Sequence, residues 1–336
     1  MKVWEVQAGA TSLDGLKRGE RPDPQPGPRE VLIRVRAASL NYRDHMIVTG
    51  RYFTPVSRPT IPLSDGAGEV AAVGPGVTRF QKGDRVAGAF FQVWFDGPPS
   101  RRHPALGIPL DGGLAEYMCL HEDGVVAIPP SLSFEEASTL PCAGVTAWNA
   151  LMVTGRPLKA GDTVLCLGTG GVSILGMQIA AAAGARVIVT SSSEEKLRKA
   201  LSLGASDGID YKANPEWQKE VARLTNGRGV DHVIEIGGAG TLDRSFEAVG
   251  FGGKIALIGF LAGTAANLNP VGLMLKGGSL HGIGVGSTAM FEELNRAIEI
   301  NRIKPVVDQV FAFEKAPDAF RCLASGDFVG KIVIAV

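Results

Sequence analysis

A glycine-rich turn contains the residue types that point most directly to chemistry. The apolar run at 163–167 is followed by Gly168-Thr169-Gly170-Gly171-Val172-Ser173. This spacing is that of the G-x-G-x-x-G dinucleotide fingerprint, with serine at the last position. Gly168 permits the tight turn, Gly170 lets backbone N–H groups approach a pyrophosphate at a helix N-terminus, and Ser173 is small enough for close packing. We therefore predict dinucleotide binding by Gly168, Gly170, Gly171 and Val172. The alternatives are a turn that only packs and another nucleotide-type ligand, such as an adenosyl sulfonium.

The next predicted strand ends in hydroxyl groups rather than in a carboxylate. An acidic residue about 20 positions after the first glycine would hold the ribose 2′-hydroxyl of NAD. The chain instead has Thr190-Ser191-Ser192-Ser193, followed by Glu194, Glu195 and Lys196. Hydroxyls and a cation suit a 2′-phosphate, which a carboxylate would repel. NADP is the predicted cofactor, with Ser191, Ser192 and Lys196 as contacts; the two glutamates are interpreted as charges in the first turn of a helix. The alternative for Lys196 is a solvated surface lysine.

A regular alternation of strands and helices must position these residues. After the first strand, further strands are predicted at 186–190, 207–210, 230–236, 254–259 and 279–285. The helix after the glycine turn has Val172, Leu175 and Ile179 on one face and ends at Gly184. Strands separated by helices indicate an α/β fold with a doubly wound parallel sheet.

The first 128 residues have a different pattern, with short β-branched runs, prolines and glycines. Many short strands without helices between them predict a compact β-rich domain. Ser133 and Glu136 have capping-box spacing and predict a helical stretch over 133–152, interrupted near Pro141. A further helix is predicted at 291–298, after which the chain is expected to return to the β-rich domain. The predicted domains are therefore 1–128 with 290–336, and 129–289.

Composition narrows the function classes. The 336 residues include 34 Lys+Arg and 34 Asp+Glu, so no net charge points to nucleic acid or an anionic membrane. Mean hydropathy is +0.13, which is ordinary for a globular protein. The four cysteines are scattered, the first residues are typical of a strand rather than a signal peptide, and no window approaches ~18 apolar residues. These features predict a cytoplasmic protein that binds neither nucleic acid nor a membrane.

Several motifs resemble those of the medium-chain dehydrogenase/reductase superfamily, over nearly the whole chain. Beside the glycine turn they are Asn41-Tyr42-Arg43-Asp44, Ile61-Pro62-Leu63-Ser64-Asp65-Gly66-Ala67-Gly68-Glu69-Val70, Gly83-Asp84-Arg85-Val86, Leu140-Pro141-Cys142-Ala143-Gly144-Val145-Thr146-Ala147-Trp148 and Gly330-Lys331-Ile332-Val333-Ile334. The resemblance is to the zinc-free quinone oxidoreductase and zinc-type alcohol dehydrogenase-like branch. It implies a discontinuous GroES-like catalytic domain, a Rossmann domain, an active site in the cleft between them, and a homodimer paired through the segment around 254–285.

Departures from the zinc-binding members carry functional information. Those members have a cysteine where Asn41 stands and Gly-His-Glu where this chain has Leu63-Ser64-Asp65. Amide and hydroxyl groups are poor zinc ligands compared with thiolate and imidazole. Cys142 falls near the third ligand position, but one ligand is not enough, and it is interpreted as a small buried hydrophobe. Residues 90–113 contain no cysteine, which excludes the four-cysteine structural zinc site; His103, which lies there, is interpreted as a surface residue. We predict no metal.

Without a metal ion to polarise a carbonyl group, hydride transfer requires an acceptor that is already activated by its own structure. Quinones and α,β-unsaturated carbonyls accept hydride at carbon while negative charge moves to a distant oxygen. The resemblance places Asn41 beside the nicotinamide, where its amide could donate a hydrogen bond, and Tyr52 near a catalytic tyrosine of the enoyl-thioester reductases. A phenol can protonate or stabilise the enolate. The alternative for Tyr52 is a residue of the pocket wall.

The resemblance also implies residues around the substrate and the cofactor. Tyr42 is a candidate for substrate stacking, and the run Phe90, Phe91, Trp94 and Phe95 either walls a pocket or packs in the core. Thr146 is implied on the nicotinamide or phosphate side of the cofactor, and Tyr211 on the 2′-phosphate side with Lys196. Phe260 is implied in the cofactor cleft, which Lys331 could reach from the C-terminal segment.

The leading hypothesis is a zinc-independent, NADPH-dependent reductase of a quinone or an α,β-unsaturated carbonyl, with a small-molecule substrate. A 2-enoyl thioester reductase shares the hydride chemistry but needs a long acyl tunnel. A non-catalytic NADPH-binding protein is the alternative from a different class.

Overall fold

The computed structural model describes residues 1–99, 103–265 and 267–336. Its residues divide into two compact units, one formed by Met1–Val145 with Gly286–Val336 and the other by Thr146–Val285. The division in the structure follows residue 145, whereas the predicted boundary follows residue 128, so 129–145 lies with the first unit. Within that segment the Ser138 carbonyl accepts a hydrogen bond of 2.9 Å from Ser39 Oγ, which lies in the sheet of the first unit.

The strands are β1 (Lys2–Val6), β2 (Leu16–Glu20), β3 (Glu30–Ser39), β4 (Asp65–Val73), β5 (Arg85–Gly88), β6 (Tyr117–His121), β7 (Val125–Ala127), β8 (Thr163–Cys166), β9 (Arg186–Ser191), β10 (Asp207–Asp210), β11 (Val230–Glu235), β12 (Val249–Leu257), β13 (Ser279–Gly282), β14 (Val307–Ala312) and β15 (Lys331–Ala335). The α-helices are α1 (Tyr42–Val48), α2 (Phe134–Ser138), α3 (Val145–Trp148), α4 (Gly171–Ala182), α5 (Glu194–Ser202), α6 (Trp217–Leu224), α7 (Leu242–Ala248), α8 (Val271–Leu275), α9 (Thr288–Asn301) and α10 (Ala316–Ser325).

The second unit contains the predicted doubly wound sheet. Its six strands are parallel, in the order β10-β9-β8-β11-β12-β13. Every residue of β8 is buried, as expected for a central strand covered on both faces. The order reverses next to β8, and in such sheets ligands bind beyond the carboxyl ends of the strands at this switch point. The glycine turn lies at the carboxyl end of β8.

The first unit contains the predicted β-rich part, built from both ends of the chain. Its main sheet has the order β14-β15-β3-β4-β5-β7, and β1 and β2 form a separate antiparallel pair. The long strand β3 pairs with β4 along one edge, while its first half pairs with β6 and its last residues with β15. Two clusters of buried apolar side chains pack against this framework.

The helical stretch predicted over 133–152 is less regular than its sequence suggested. The Ser133–Glu136 capping box is confirmed, and α2 follows it. Leu140–Gly144 is then a π-helical segment with Pro141 at its start, and α3 leads into a second π-helical segment at Asn149–Val153. Proline lacks the N–H that an α-helix would use at this point, so the helix cannot continue unchanged. Among the residues that the structure describes, no helix is long and apolar enough to cross a membrane.

Candidate functional site

The glycine turn of the second unit forms a cradle at the start of α4. Gly168 has φ +74°, and its N–H donates to Thr190 Oγ1 at 3.1 Å. At Gly170 an added Cβ would meet no atom within 4 Å. Ser173 Oγ donates to the Leu167 carbonyl at 2.6 Å, which ties the first turn of α4 to the end of β8. Open space beside a helix N-terminus fits a dinucleotide pyrophosphate.

The residues predicted around a 2′-phosphate lie at one edge of the sheet. Ser191 ends β9, and its carbonyl accepts a 2.9 Å hydrogen bond from the Tyr211 N–H, just after β10. Ser193 caps α5, with its side chain accepting from the Lys196 N–H at 3.5 Å. Lys196 is thus in the first turn of α5, after the half-exposed Ser192, and the Tyr211 side chain is exposed. The fold brings these side chains to the carboxyl ends of β9 and β10.

Sequence reasoning missed Glu235, the last residue of β11. Its side chain is completely buried, and its carboxylate accepts hydrogen bonds from the N–H groups of Gly237 and Gly238 at 2.7 and 3.1 Å. It also accepts from Thr241 Oγ1 at 2.6 Å and from Ser245 Oγ. One carboxylate therefore organises the loop that follows β11. The sequence did contain one sign of this role, a charged residue directly after the apolar run Val233-Ile234. A carboxylate buried at such a position requires hydrogen-bond donors around it.

Two other predicted residues of the second unit are placed as follows. The Thr146 side chain is buried in α3. Phe260 follows β12 and is half-buried. Its loop pairs with the loop after β11, because Leu261 N–H donates to the Ile236 carbonyl at 3.2 Å and Ala262 N–H to the Gly237 carbonyl at 2.7 Å. The structure thus joins the Glu235 and Phe260 loops at the carboxyl edge of the sheet.

In the first unit, Asn41 belongs to a hydrogen-bonded polar network. Its Nδ2 donates to Asp65 Oδ2 at 2.9 Å, and its Oδ1 accepts from Lys331 Nζ at 2.6 Å. Ser64 Oγ donates to Asp65 Oδ1 at 2.8 Å. Lys331 Nζ also donates to the Leu40 carbonyl at 2.5 Å and lies 3.8 Å from Asp65 Oδ2. The ammonium is therefore occupied inside the first unit, and one N–H of the Asn41 amide is taken by Asp65.

A left-handed residue precedes this network. Leu63 is fully buried with φ +68°, a conformation that costs a non-glycine residue about 1–2 kcal/mol. The zinc-binding members have glycine at this position, for which such a φ is free of that cost. Leu63 therefore carries this backbone strain directly before Ser64 and Asp65.

The residues at the expected zinc-ligand positions do not fit a zinc ion. The Asn41 oxygen is bonded to an ammonium group, and Ser64 Oγ is bonded to Asp65. Burial raises the pKa of the Cys142 thiol, and the charge of Asp65 raises it further. Within the described parts of the chain, no group of three or more His, Cys, Asp or Glu side chains could hold a metal.

Tyr52 is held against Arg43, a residue of α1. Arg43 Nε donates to the Tyr52 hydroxyl oxygen at 3.4 Å. Tyr52 is half-buried and packs against the apolar cluster that includes Ile47 and Val56. Because its oxygen accepts a hydrogen bond, its own proton can be donated elsewhere. Both interpretations of Tyr52, proton donor and pocket wall, are compatible with this placement.

The predicted aromatic run divides into buried and exposed members. Phe90 and Trp94 are buried, Phe91 is half-buried and Phe95 is exposed. The Phe90 and Phe91 rings meet edge-to-face at 4.6 Å, and Phe91 lies 5.8 Å from Trp94. The burial of Phe90 and Trp94 favours core packing for these two. Phe91 keeps accessible surface, as does Tyr42, whose exposed ring is 6.1 Å from that of His45.

His103 is not the surface residue that the sequence suggested. It is half-buried, and its ring is parallel to that of Trp94 with centres 5.8 Å apart. The adjacent residues 100–102 lie outside the described residues.

Comparisons with known proteins agree with this architecture. Residues 27–130 match the alcohol dehydrogenase GroES-like domain, and residues 171–300 match the zinc-binding dehydrogenase family. The chain is 44% identical to a zinc-type alcohol dehydrogenase-like protein of Schizosaccharomyces pombe, covering 99% of each chain. It is 34% identical to a quinone oxidoreductase of Pseudomonas aeruginosa, covering 92% of each. A crystal structure described as an NAD-dependent alcohol dehydrogenase matches with a TM-score of 0.92 at 35% identity and full coverage of both chains.

Proposed function

Because the chain belongs to the medium-chain dehydrogenase/reductase superfamily, whose members are nicotinamide-dependent oxidoreductases, we propose that it reduces a quinone or an α,β-unsaturated carbonyl with NADPH and without zinc. The observation that carries this proposal is the network of Asn41, Ser64, Asp65 and Lys331, which occupies the expected ligand positions with groups bonded to one another. Similarity to a quinone oxidoreductase supports the class of acceptor.

The chemistry follows from the missing Lewis acid. A simple ketone needs its carbonyl polarised before it accepts hydride, which zinc supplies in the metal-dependent enzymes. When bound, NADPH would supply hydride to a carbon of the acceptor. A quinone or enone spreads the resulting charge to a remote oxygen, so the protein has to provide a hydrogen-bond donor and one proton. Tyr52 supplies that proton. Asn41 contributes its second amide N–H, which donates to Ser64 Oγ at an Nδ2–Oγ distance of 3.5 Å. Because this bond is long, the same N–H can also donate to an acceptor oxygen beside it.

Lys331 acts within this scheme through Asn41. Its ammonium donates to Asn41 Oδ1, which fixes the amide with Nδ2 directed to Asp65 and Ser64. This differs from the direct cofactor contact that the resemblance implied. The cofactor residues of the proposal are those of the glycine turn, the serines at the end of β9, Lys196 and Tyr211 at the 2′-phosphate, and Thr146 and Phe260.

The proposed function is tested by NADPH oxidation with metal-analysed protein. The acceptors are a quinone, an alkyl enone, a crotonyl thioester and a simple aldehyde, each with and without a chelator. We expect turnover of the quinone or the enone, with no zinc and no loss on chelation. Stoichiometric zinc with chelator-sensitive alcohol oxidation would contradict the proposal. Turnover of the thioester alone would make the chain an enoyl reductase, and tight NADPH binding with no turnover would favour a non-catalytic role.

The choice of NADPH rests on Lys196. We expect Lys196→Ala to weaken NADPH binding by roughly 10–100-fold, because a hydrogen bond to a charged group contributes about 1.5–3 kcal/mol. NADH binding should change little, since NADH lacks the 2′-phosphate. Fluorescence titration with both cofactors measures this, with Lys219→Ala, an exposed lysine of α6, as the control. Equal losses for the two cofactors would rule out the 2′-phosphate contact.

We also propose that the chain forms a homodimer through the edge of the second unit's sheet. The edge strand β13 carries the partly exposed Leu280, and the neighbouring α8 exposes Met274 and Leu275 at 67% and 71%. An exposed apolar surface beside an open strand edge favours association. We expect a particle of twice 35.2 kDa by light scattering, and a monomer for Leu280→Asp. Ile300→Asp, an exposed position of α9, should remain dimeric; a monomeric wild-type protein at micromolar concentration would contradict the proposal.

A further inference from the structure

Arg43 places a permanent positive charge inside the first unit, between two aromatic rings. Its guanidinium carbon lies 5.1 Å from the centre of the Tyr52 ring and 4.8 Å from that of Phe90. The side chain is only 10% exposed. Arginine is not deprotonated in proteins. Arg43 therefore cannot donate a proton itself, but its charge is felt strongly by neighbours that share its dry surroundings.

The guanidinium is fixed by hydrogen bonds from all three of its nitrogens. Nη1 donates to the Leu106 carbonyl at 2.9 Å, Nη2 to the Ile108 carbonyl at 3.4 Å, and Nε to the Tyr52 hydroxyl at 3.4 Å. The first two bonds hold the loop before Pro109 and leave Nε directed at the phenol. The Tyr52 oxygen is thus an acceptor from Arg43, so its own hydrogen points to another group.

Asp44 balances this charge. Its Oδ1 is 3.7 Å from Arg43 Nη1, and its Oδ2 accepts from the Asn41 N–H at 2.8 Å. Burial raises the pKa of Asp44 to about 6, with Arg43 acting in the opposite direction. The carboxylate is mostly ionised at neutral pH and offsets the buried guanidinium. Arg43 and Asp44 together also anchor the start of α1, where Asn41 stands.

We propose that Arg43 is a positioning residue for proton donation by Tyr52, an inference that rests on the proposed function. Hydride addition gives an enolate or a hydroquinone anion. The Tyr52 O–H bond then breaks, its proton bonds to that anion, and the electron pair stays on the phenolate oxygen beside Arg43 Nε. The guanidinium stabilises the negative charge as it develops. Water returns a proton to the phenolate before the next turnover.

The test compares Arg43→Met with Arg43→Lys, using the preferred acceptor and NADPH. Arg43→Met should lower kcat by roughly 10–100-fold, since a charge-assisted hydrogen bond is lost. KM and NADPH affinity should stay within about twofold, and the solvent deuterium isotope effect on kcat should rise as proton transfer becomes slower. Arg43→Lys keeps the charge and should recover part of kcat. Arg51→Met is the control, since the Arg51 side chain is exposed and its guanidinium donates to Thr49 Oγ1 and lies 2.7 Å from His45 Nε2.

A double-mutant cycle separates positioning from simple structural support. Once Tyr52 is replaced by Phe, removal of Arg43 should lower kcat no further, because the group on which it acts is gone. An equal additional loss in both backgrounds would overturn the inference. If Arg43→Met does not fold, Arg43→Lys takes its place in the cycle. A wild type that reduces neither a quinone nor an enone would instead contradict the proposed function. A fully active Tyr52→Phe would leave that function standing and overturn the inference, because Tyr52 would then not be the proton donor. An active enzyme that depends on Tyr52 but shows independent losses would contradict only the role of Arg43.

Discussion

Replacing Tyr52 by Phe is expected to lower turnover of the preferred quinone or enone by about 10²–10⁴-fold, the usual contribution of a positioned proton donor. The ring and its packing against the apolar cluster are kept, so folding should be unaffected. The loss should fall on kcat, because the phenol acts after hydride transfer has begun. Steady-state kinetics with NADPH, together with a fluorescence titration of the cofactor, measure both effects.

The matched control is Tyr117→Phe, a half-buried tyrosine of β6 that belongs to no proposed site. It should retain full turnover. If Tyr52→Phe also retains full turnover, the phenol is only part of the pocket wall, and the proton must come from water or from another side chain.

Replacing Glu235 by Ala is expected to lower the free energy of unfolding of the second unit by about 3–5 kcal/mol. Two backbone N–H groups and two hydroxyls would lose their common acceptor, and each unpaired buried polar group costs about 1–3 kcal/mol before relaxation. A thermal melt should show a fall of roughly 10 °C or more. NADPH affinity should fall as well, since the loop after β11 stands at the carboxyl edge of the sheet.

Two further variants make this prediction specific. Glu235→Gln keeps one acceptor oxygen and should give a smaller loss of stability. Glu247→Ala removes an exposed carboxylate of α7 and should change stability by less than about 0.5 kcal/mol. A Glu235→Ala protein as stable as the wild type would mean that the loop rearranges and finds other acceptors.

The sequence predicted the second unit well because its signals are local. Buried strands such as β8 appear as apolar runs, and the glycine turn needs only neighbouring residues to define it. The capping box at Ser133 is local in the same way. The prediction grouped 129–145 with the other domain, because the contact that joins this segment to the first unit is between Ser138 and Ser39, about a hundred positions apart in the chain.

The candidate site was predicted by residue type but not by contact. Asn41 and Tyr52 were named from their motifs, whereas the partners that define their chemistry come from far along the chain. Lys331 reaches Asn41 across 290 positions, and Arg43 meets the Leu106 carbonyl across 63. The spacing of residues in the sequence cannot reveal such distant contacts. The burial of Glu235 could not be predicted for the same reason, because it depends on the fold of the loop that follows β11.

The position of β15 has a consequence for synthesis on the ribosome. Residues Ala37–Ser39 of β3 pair with Val333–Ala335, so that strand edge stays open until residues 333–335 have been synthesised. At ~5–20 residues per second the wait is roughly 15–60 s. The second unit, which is continuous from Thr146 to Val285, can fold during this interval, but the first cannot be completed. A nascent chain with an unpaired strand edge can form hydrogen bonds with a strand of another chain. A chain interrupted before Lys331 would lack both the strand that closes this edge and the ammonium group that bonds to Asn41.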